Sequence, residues 1–230
     1  MRCVVMAVLL ASGSVFAEPA PGPSANELVD WVDAKLAAIQ SLELEFETIQ
    51  VFVVNGYKTT ATMSSVTQAV RQGATFVVRA DSDVTTESTC VKPGCQLPAP
   101  VPRKREVELH RDGMMYRHVL GQPTAQRTRI TGLDVTNPLL FGAMLRETLR
   151  VQPSMRRLRD ETIDGERTHV VSYSIVTLYI SATTGLILKM VVSKEIEGHA
   201  IVQTTRRKRL VVGKAIPAER FRLPSSIKVE

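Results

Sequence analysis

The stretch LELEFETIQVFVV, residues 42–54, runs directly into Asn55-Gly56. Its first half alternates Leu42, Leu44 and Phe46 with Glu43, Glu45 and Glu47, the period-two pattern of a strand with one apolar and one wet face. Asn-Gly accepts the positive φ that a type I′ hairpin turn needs at both central positions. Residues Tyr57 to Val70 are therefore expected to return as the partner strand. At about 3.3 Å per residue, the first strand alone would run roughly 40 Å, and a sheet of strands that long twists and curls.

Upstream of this strand the period changes to that of a helix. Leu28, Trp31, Val32, Leu36 and Ile39 recur at three- and four-residue steps and make one apolar stripe. Ser24 and Glu27 fit a capping box, hydroxyl and carboxylate satisfying free N–H groups at the helix start. Downstream, Gln72-Gly73 turns the chain and ATFVVRA, residues 74–80, makes a third strand. Residues 81–102 carry Cys90, Cys95 and four prolines and are expected to form an irregular inserted loop. REVELH and MMYRHVL flank Asp112-Gly113 as another hairpin, so the strands form a meander.

Asn137-Pro138 opens a second expected helix, PLLFGAMLRETLR, with proline at the first helical position and Arg146 and Arg150 near its C-terminal end. MRRLRDETI, RTHVVSYSI, TLYISA, LILKMVVSKEI and AIVQTTRRKRLVV then read as strands. Two helices and about nine to eleven strands give an α+β class. The economical arrangement is a curled antiparallel sheet forming an incomplete half-barrel, with helices covering its concave face.

The N-terminus, MRCVVMAVLLASGSVFA, has one positive charge, a short apolar core and small residues before Ala17. This is the pattern of a secretory signal peptide cleaved after Ala17, and the apolar run is too short to span a bilayer. Residues 18–24 read as a flexible proline- and alanine-rich lead-in, and residues 25–230 as a single domain. The net charge of +6 would favour nucleic acid in a cytosolic protein; export makes that partner unexpected. The basic runs Arg103-Lys104-Arg105 and Arg206-Arg207-Lys208-Arg209 read either as solvated strand edges guarded by charge or as a docking patch for envelope membrane proteins.

No catalytic constellation stands out. The four histidines, His110, His118, His169 and His199, show no metal-ligand spacing. Asp160, Glu161 and Asp164 cluster at a turn beside arginines, which reads as a solvated ion-pair surface. No metal, no cofactor and no chemical conversion are expected. Cys90 and Cys95 enclose four residues including Pro93-Gly94; they supply too few ligands for a zinc knuckle and the wrong spacing for a thioredoxin-type centre. In an exported chain a disulfide is the remaining reading.

The order of elements resembles the periplasmic lipoprotein carriers of the LolA-like family. ATFVVRA is similar to that family's apolar strand ending in arginine, which implies Arg79 as the arginine holding a lid helix closed. VELHRDGMMYRHVLGQP is similar to its Asp-Gly hairpin, and IDGERTHVVSYS, LYISATTGLILKMVVSKEIEGH and KAIPAERFRLPSSIKV parallel its last strands and its Phe-to-Pro ending, here Phe221 and Pro224. The likeness departs from the family at Ala80, where proline is usual, at the inserted CVKPGC segment and in its sparse aromatics. What it implies is a monomeric periplasmic carrier of lipoprotein acyl chains or other lipids. The implied cavity is lined by Trp31, Leu36, Phe46, Met63, Phe76, Met115, Phe141 and Met144. The other reading of the same fold is a regulatory or structural protein-binding module with a packed interior.

Overall fold

The computed structural model describes residues 24–54, 56–73, 75–129, 155–196 and 199–230. The expected signal peptide and the second helix, with Phe141 and Met144, lie outside them. One α-helix is present among the described residues, α1 (Ala25–Ala37). Its capping box forms as expected: Glu27 N–H donates to the Ser24 hydroxyl, and the Glu27 carboxylate accepts from Ser24 N–H at 2.7 Å. No helix among the described residues is long and apolar enough to cross a membrane.

The remainder is strand: β1 (Ser41–Val54), β2 (Tyr57–Gln72), β3 (Thr75–Cys90), β4 (Lys104–Arg111), β5 (Met114–Val119), β6 (Thr124–Arg129), β7 (Arg156–Arg157), β8 (Glu161–Ile163), β9 (Glu166–Tyr173), β10 (Val176–Ser181), β11 (Ile187–Ile196), β12 (His199–Val212) and β13 (Lys228–Val229). They form one 13-stranded sheet ordered β13-β6-β5-β4-β3-β2-β1-β12-β11-β10-β9-β7, with β8 also pairing β9. The expected meander is thus two meanders, β1–β6 and β9–β12, joined by antiparallel pairing of β1 with β12. Pairing is antiparallel except between β13 and β6, which run parallel. The order begins at β13 and ends at β7 without a pairing between them, so the sheet is open rather than closed into a barrel.

One expectation is corrected outright. Residues 81–90 are not loop: β3 continues through DSDVTTESTC and pairs residue for residue with β2 from Thr75↔Gln72 to Cys90↔Tyr57. The segment is polar, yet Val84, Thr85, Thr86 and Thr89 are β-branched and fit a pleated surface. The Asn55-Gly56 hairpin has already extended β2 alongside it. The irregular segment is confined to residues 91–103.

Register assigns the two faces. Leu42, Leu44 and Phe46 lie on the same face as Ala69 of β2 and Val78 of β3, and with Val171, Tyr173, Leu178, Ile180 and Met190 they form a core against Leu28, Val29, Val32 and Leu36 of α1. This is the near face. On the far face a separate buried group, Val77, Val107, Leu109 and Ala125, is accompanied by Phe221. Phe221 belongs to a short 3₁₀ turn (Ala218–Phe221) in the C-terminal segment. That segment leaves β12 with Gly213 N–H bonded to Ser41 O at 2.9 Å, crosses the far face and ends as β13 along β6. The sheet is therefore buttressed on both faces, by α1 at one side and by a C-terminal strap on the other.

Candidate functional site

Four of the expected cavity residues, Phe46, Met63, Phe76 and Met115, fall on the near face by register. Leu36 and Phe46 belong to the buried core beneath α1, and Trp31 and Phe76 pack against it half-buried. Met63 and Met115, further from the helix, are half-buried. Directly under α1 the near face is filled by side chains: Val32, Leu42, Leu44 and Leu178 are fully buried. Ala61, Val84 and Val119 are half-buried on this face, and the same register sets Ser65, Ser82, Glu106, Glu108 and Arg117 among them.

The helix is tied to the sheet by an arginine that the sequence reading did not single out. Arg71, at the end of β2, donates from Nη2 to Leu36 O at 2.5 Å and from Nε to Ile39 O at 2.9 Å. Its backbone N–H bonds Gln40 O at 2.8 Å. The guanidinium lies 4.3 Å from the Phe76 ring centroid, stacked on the residue that faces it across the β2–β3 hairpin. The last carbonyls of a helix carry partial negative charge and have no intrahelical partner, so a cation placed there both satisfies them and fixes the helix end. Arg79 is elsewhere. It lies on the far face, where it forms a two-bond pair with Asp81 at 2.7 and 2.6 Å and donates to Arg220 O of the strap at 3.1 Å. The clue available in sequence was that Gln72-Gly73 folds Arg71 back over Phe76.

The other end of the roof rests on a polar network. Trp31 meets the His169 ring edge-on at 5.5 Å between centroids. His169 Nδ1 lies 3.2 Å from Asp160 and 2.9 Å from Arg157 Nη2, and Arg167 donates to the same carboxylate at 2.9 Å. Burial alone would raise the Asp160 pKa, but the bonds from Arg157, Arg167 and His169 outweigh it and hold the carboxyl below its usual value. Arg157 is buried and Asp160 only partly exposed, so this turn is a buttress under the helix rather than a freely solvated surface. Lys35 stacks over Trp31 at 5.6 Å. Gly185 allows the close contact that completes the docking: a Cβ there would lie 2.9 Å from Lys35 Cβ.

Every member of the two basic runs has a carboxylate partner. Arg103 pairs with Asp83, Lys104 with Glu106 at 2.6 Å and Arg105 with Asp83 at 3.4 Å. Arg206 pairs with Asp164, Arg207 with Glu166 at 2.7 Å, Lys208 with Glu47 at 2.8 Å and Arg209 with Glu45 at 3.1 Å. The second run sits at a bulge where pairing steps from Glu45↔Arg209 to Phe46↔Arg207 and leaves Lys208 out of register. Glu45 and Glu47 of the opening stretch are thus cross-strand partners of Arg209 and Lys208 of the RRKR run. Glu43 is bound by Lys214 at the head of the strap, at 2.8 Å, and by Gln68 at 2.7 Å. Those two bonds, Lys214 first, lower its pKa.

Cys90 and Cys95 form a disulfide with Cα atoms 5.9 Å apart. It closes the turn beyond β3, and the enclosed Val91 and Lys92 N–H groups bond Gly56 O at 2.9 and 3.1 Å. The tips of two successive hairpins are thereby joined. Among the described residues no group of three or more His, Cys, Asp or Glu side chains is arranged to hold a metal ion.

No protein-family model matches the chain, and no curated protein matches it. Solved structures do. An uncharacterized conserved protein from Thermus thermophilus is similar over 90% of this chain and 98% of its own, at 11% identity and TM-score 0.51. LprF from Mycobacterium bovis is similar over 87% and 97% at 14% identity, TM-score 0.43. A putative outer membrane lipoprotein-sorting protein domain from Vibrio parahaemolyticus is similar over 86% and 95% at 10% identity, TM-score 0.32. At these identities the likeness is one of fold, and the fold this chain shares is that of the Thermus protein.

Proposed function

We propose that the protein is a periplasmic carrier or binder of lipoproteins or other lipids, which lays acyl chains against the near face of its curled sheet and carries out no chemical conversion. The observation that carries this reading is an apolar near-face core roofed, among the described residues, by the amphipathic helix α1, whose C-terminal end is fastened by Arg71. Exposing acyl chains to water costs about 0.8 kcal/mol per CH₂, so a lipid ferried through an aqueous compartment needs an apolar, concave surface. In this reading Met63, Ala61, Val84 and Met115, half-buried on the near face, contribute apolar contacts beyond the packed core. Methionine suits such contacts because the thioether adapts to irregular apolar shapes. In this reading a leader ending at Ala17 is removed, residues 25–230 act as one half-barrel domain, and ligand entry moves Trp31 and Leu36 relative to the sheet.

Full burial of Val32, Leu42, Leu44 and Leu178 under α1 favours the second reading, a packed protein-binding module acting in the envelope through its surface. Native mass spectrometry after gentle purification, with displacement of a fluorescent fatty acid, separates the two. Co-purifying lipid and saturable displacement are expected; finding neither would leave only the binding module.

A further inference from the structure

A second site lies on the face away from α1, where the C-terminal strap crosses the sheet. A cavity of about 280 Å³ is lined by Val70, Gln72 and Val77 of β2 and β3, by Arg111 and Asp112 at the β4–β5 turn, and by Ile216, Ala218, Phe221 and Arg222 of the strap. Val77 and Phe221 are buried and Val70 and Ile216 half-buried, so the floor is apolar, while Arg111 and Arg222 are exposed at the rim.

Ten of the seventeen arginines among the described residues have a carboxylate partner, and the two rim arginines are among the seven that do not. Arg79, Arg103, Arg105, Arg117, Arg157, Arg167, Arg206, Arg207, Arg209 and Arg220 each have a carboxylate partner. Among the described residues neither Arg111 nor Arg222 has a carboxylate within ion-pair distance; the guanidinium of Arg111 lies over the Tyr116 ring at 5.2 Å. Asp112 also borders the cavity, so the rim carries two positive charges against one negative. An apolar floor beneath two available guanidiniums complements a small amphipathic anion, the guanidinium fork matching a carboxylate in geometry and charge. At about 280 Å³ the cavity is small, which suits a short-chain monocarboxylate better than a triacyl anchor.

We propose that this cavity between the strap and the far face is a binding site for a short-chain alkyl carboxylate, separate from the near-face surface and independent of what that surface carries. Binding there would bridge the strap to the β2–β3 and β4–β5 turns and hold the strap down.

The test is a titration of the full chain with hexanoate, followed by methyl NMR, with hexylamine as the control of opposite charge. Saturable shifts are expected at Val70, Val77 and Ile216, with none from hexylamine. Arg111→Gln with Arg222→Gln is expected to weaken hexanoate about tenfold, and Ala218→Trp, which fills the cavity from an exposed position, to abolish it with the rest of the spectrum unchanged. No saturable shift, shifts confined to the α1 side such as Leu178 and Met190, equal binding of hexylamine, or unaltered binding by both variants would each overturn the proposal.

Discussion

Arg71 Nη2 on β2 lies 2.5 Å from the carbonyl oxygen of Leu36 in the last turn of α1. The helix is thereby held at its C-terminal end by a side chain from the second strand. Arg71→Leu is expected to cost about 2 kcal/mol, the scale of hydrogen bonds made by a charged donor, and to raise amide exchange in Val32–Leu36 well above that in β1. Arg79→Leu is expected to leave α1 exchange unchanged and to loosen the strap near Arg220. Equal α1 protection in wild type and Arg71→Leu would remove the fastening role.

Docking of the helix depends equally on Gly185. Its φ of +74° and the 2.9 Å approach that a Cβ would make to Lys35 Cβ act in the same direction. Gly185→Ala is expected to destabilise by about 2 kcal/mol, with the loss concentrated at the α1 contact. Urea denaturation and Trp31 fluorescence, which reports the packing against His169, measure both.

The paired basic runs imply a graded response to neutralisation. Lys208→Gln removes a half-exposed pair with Glu47 and is expected to change stability by less than about 1 kcal/mol. Arg207→Met removes one partner of a pair whose arginine is 6% exposed, leaving Glu166 without its cation, and is expected to cost about 3 kcal/mol. Thermal midpoints at low and high salt distinguish them, since only the exposed pair is strongly screened.

Stability is expected to fall on the acid side. Glu43, Glu108 and Asp160 all have folded pKa values below their ordinary ones: Glu43 through Lys214 and Gln68, Glu108 because His110 and Arg117 overcome its burial, and Asp160 through its arginines and His169. A carboxyl depressed in the folded state stabilises the fold above its unfolded pKa, about 4.3 for Glu and about 3.9 for Asp, and that stabilisation is lost as pH drops through the folded value. The thermal midpoint should therefore hold near neutrality and decline below about pH 4. Lys214→Met should flatten part of that decline; an identical pH profile would show that the Glu43 bond contributes nothing.

Period-two alternation and turn chemistry made the strands from β1 to β5 and from β9 to β12 legible, since Asn55-Gly56, Asp112-Gly113 and Asp164-Gly165 each mark a real reversal. The capping box at Ser24 and Glu27 was readable because it is local. Pairing across the sequence was not. Nothing local says that Glu45 meets Arg209 or that Arg71 reaches Leu36, because those contacts depend on how the two meanders join. Residues 81–90 were misread because threonine, serine and aspartate resemble loop composition, while their strand state is imposed by a partner already in place. The alternation placed Leu42, Leu44 and Phe46 on one face; the fastening of α1 depended on the β2–β3 turn and the far-face cavity on the strap's path.

The seam between β1 and β12 also dictates an order of events. Its two strands are separated by most of the chain, so the closing of the sheet is among the least local steps of folding, and such non-local pairing is slow. Until residues 199–212 are made and delivered, β1 stands as an open edge of fourteen residues, long enough to recruit another chain. Glu43, Glu45 and Glu47 sit along the unmated edge as like charges that repel an identical copy; Glu45 and Glu47 become neutralised when the arginine- and lysine-rich strand arrives, and Glu43 by Lys214 just beyond it. The same three carboxylates that are paired in the finished sheet thus act beforehand as gatekeepers against misassembly.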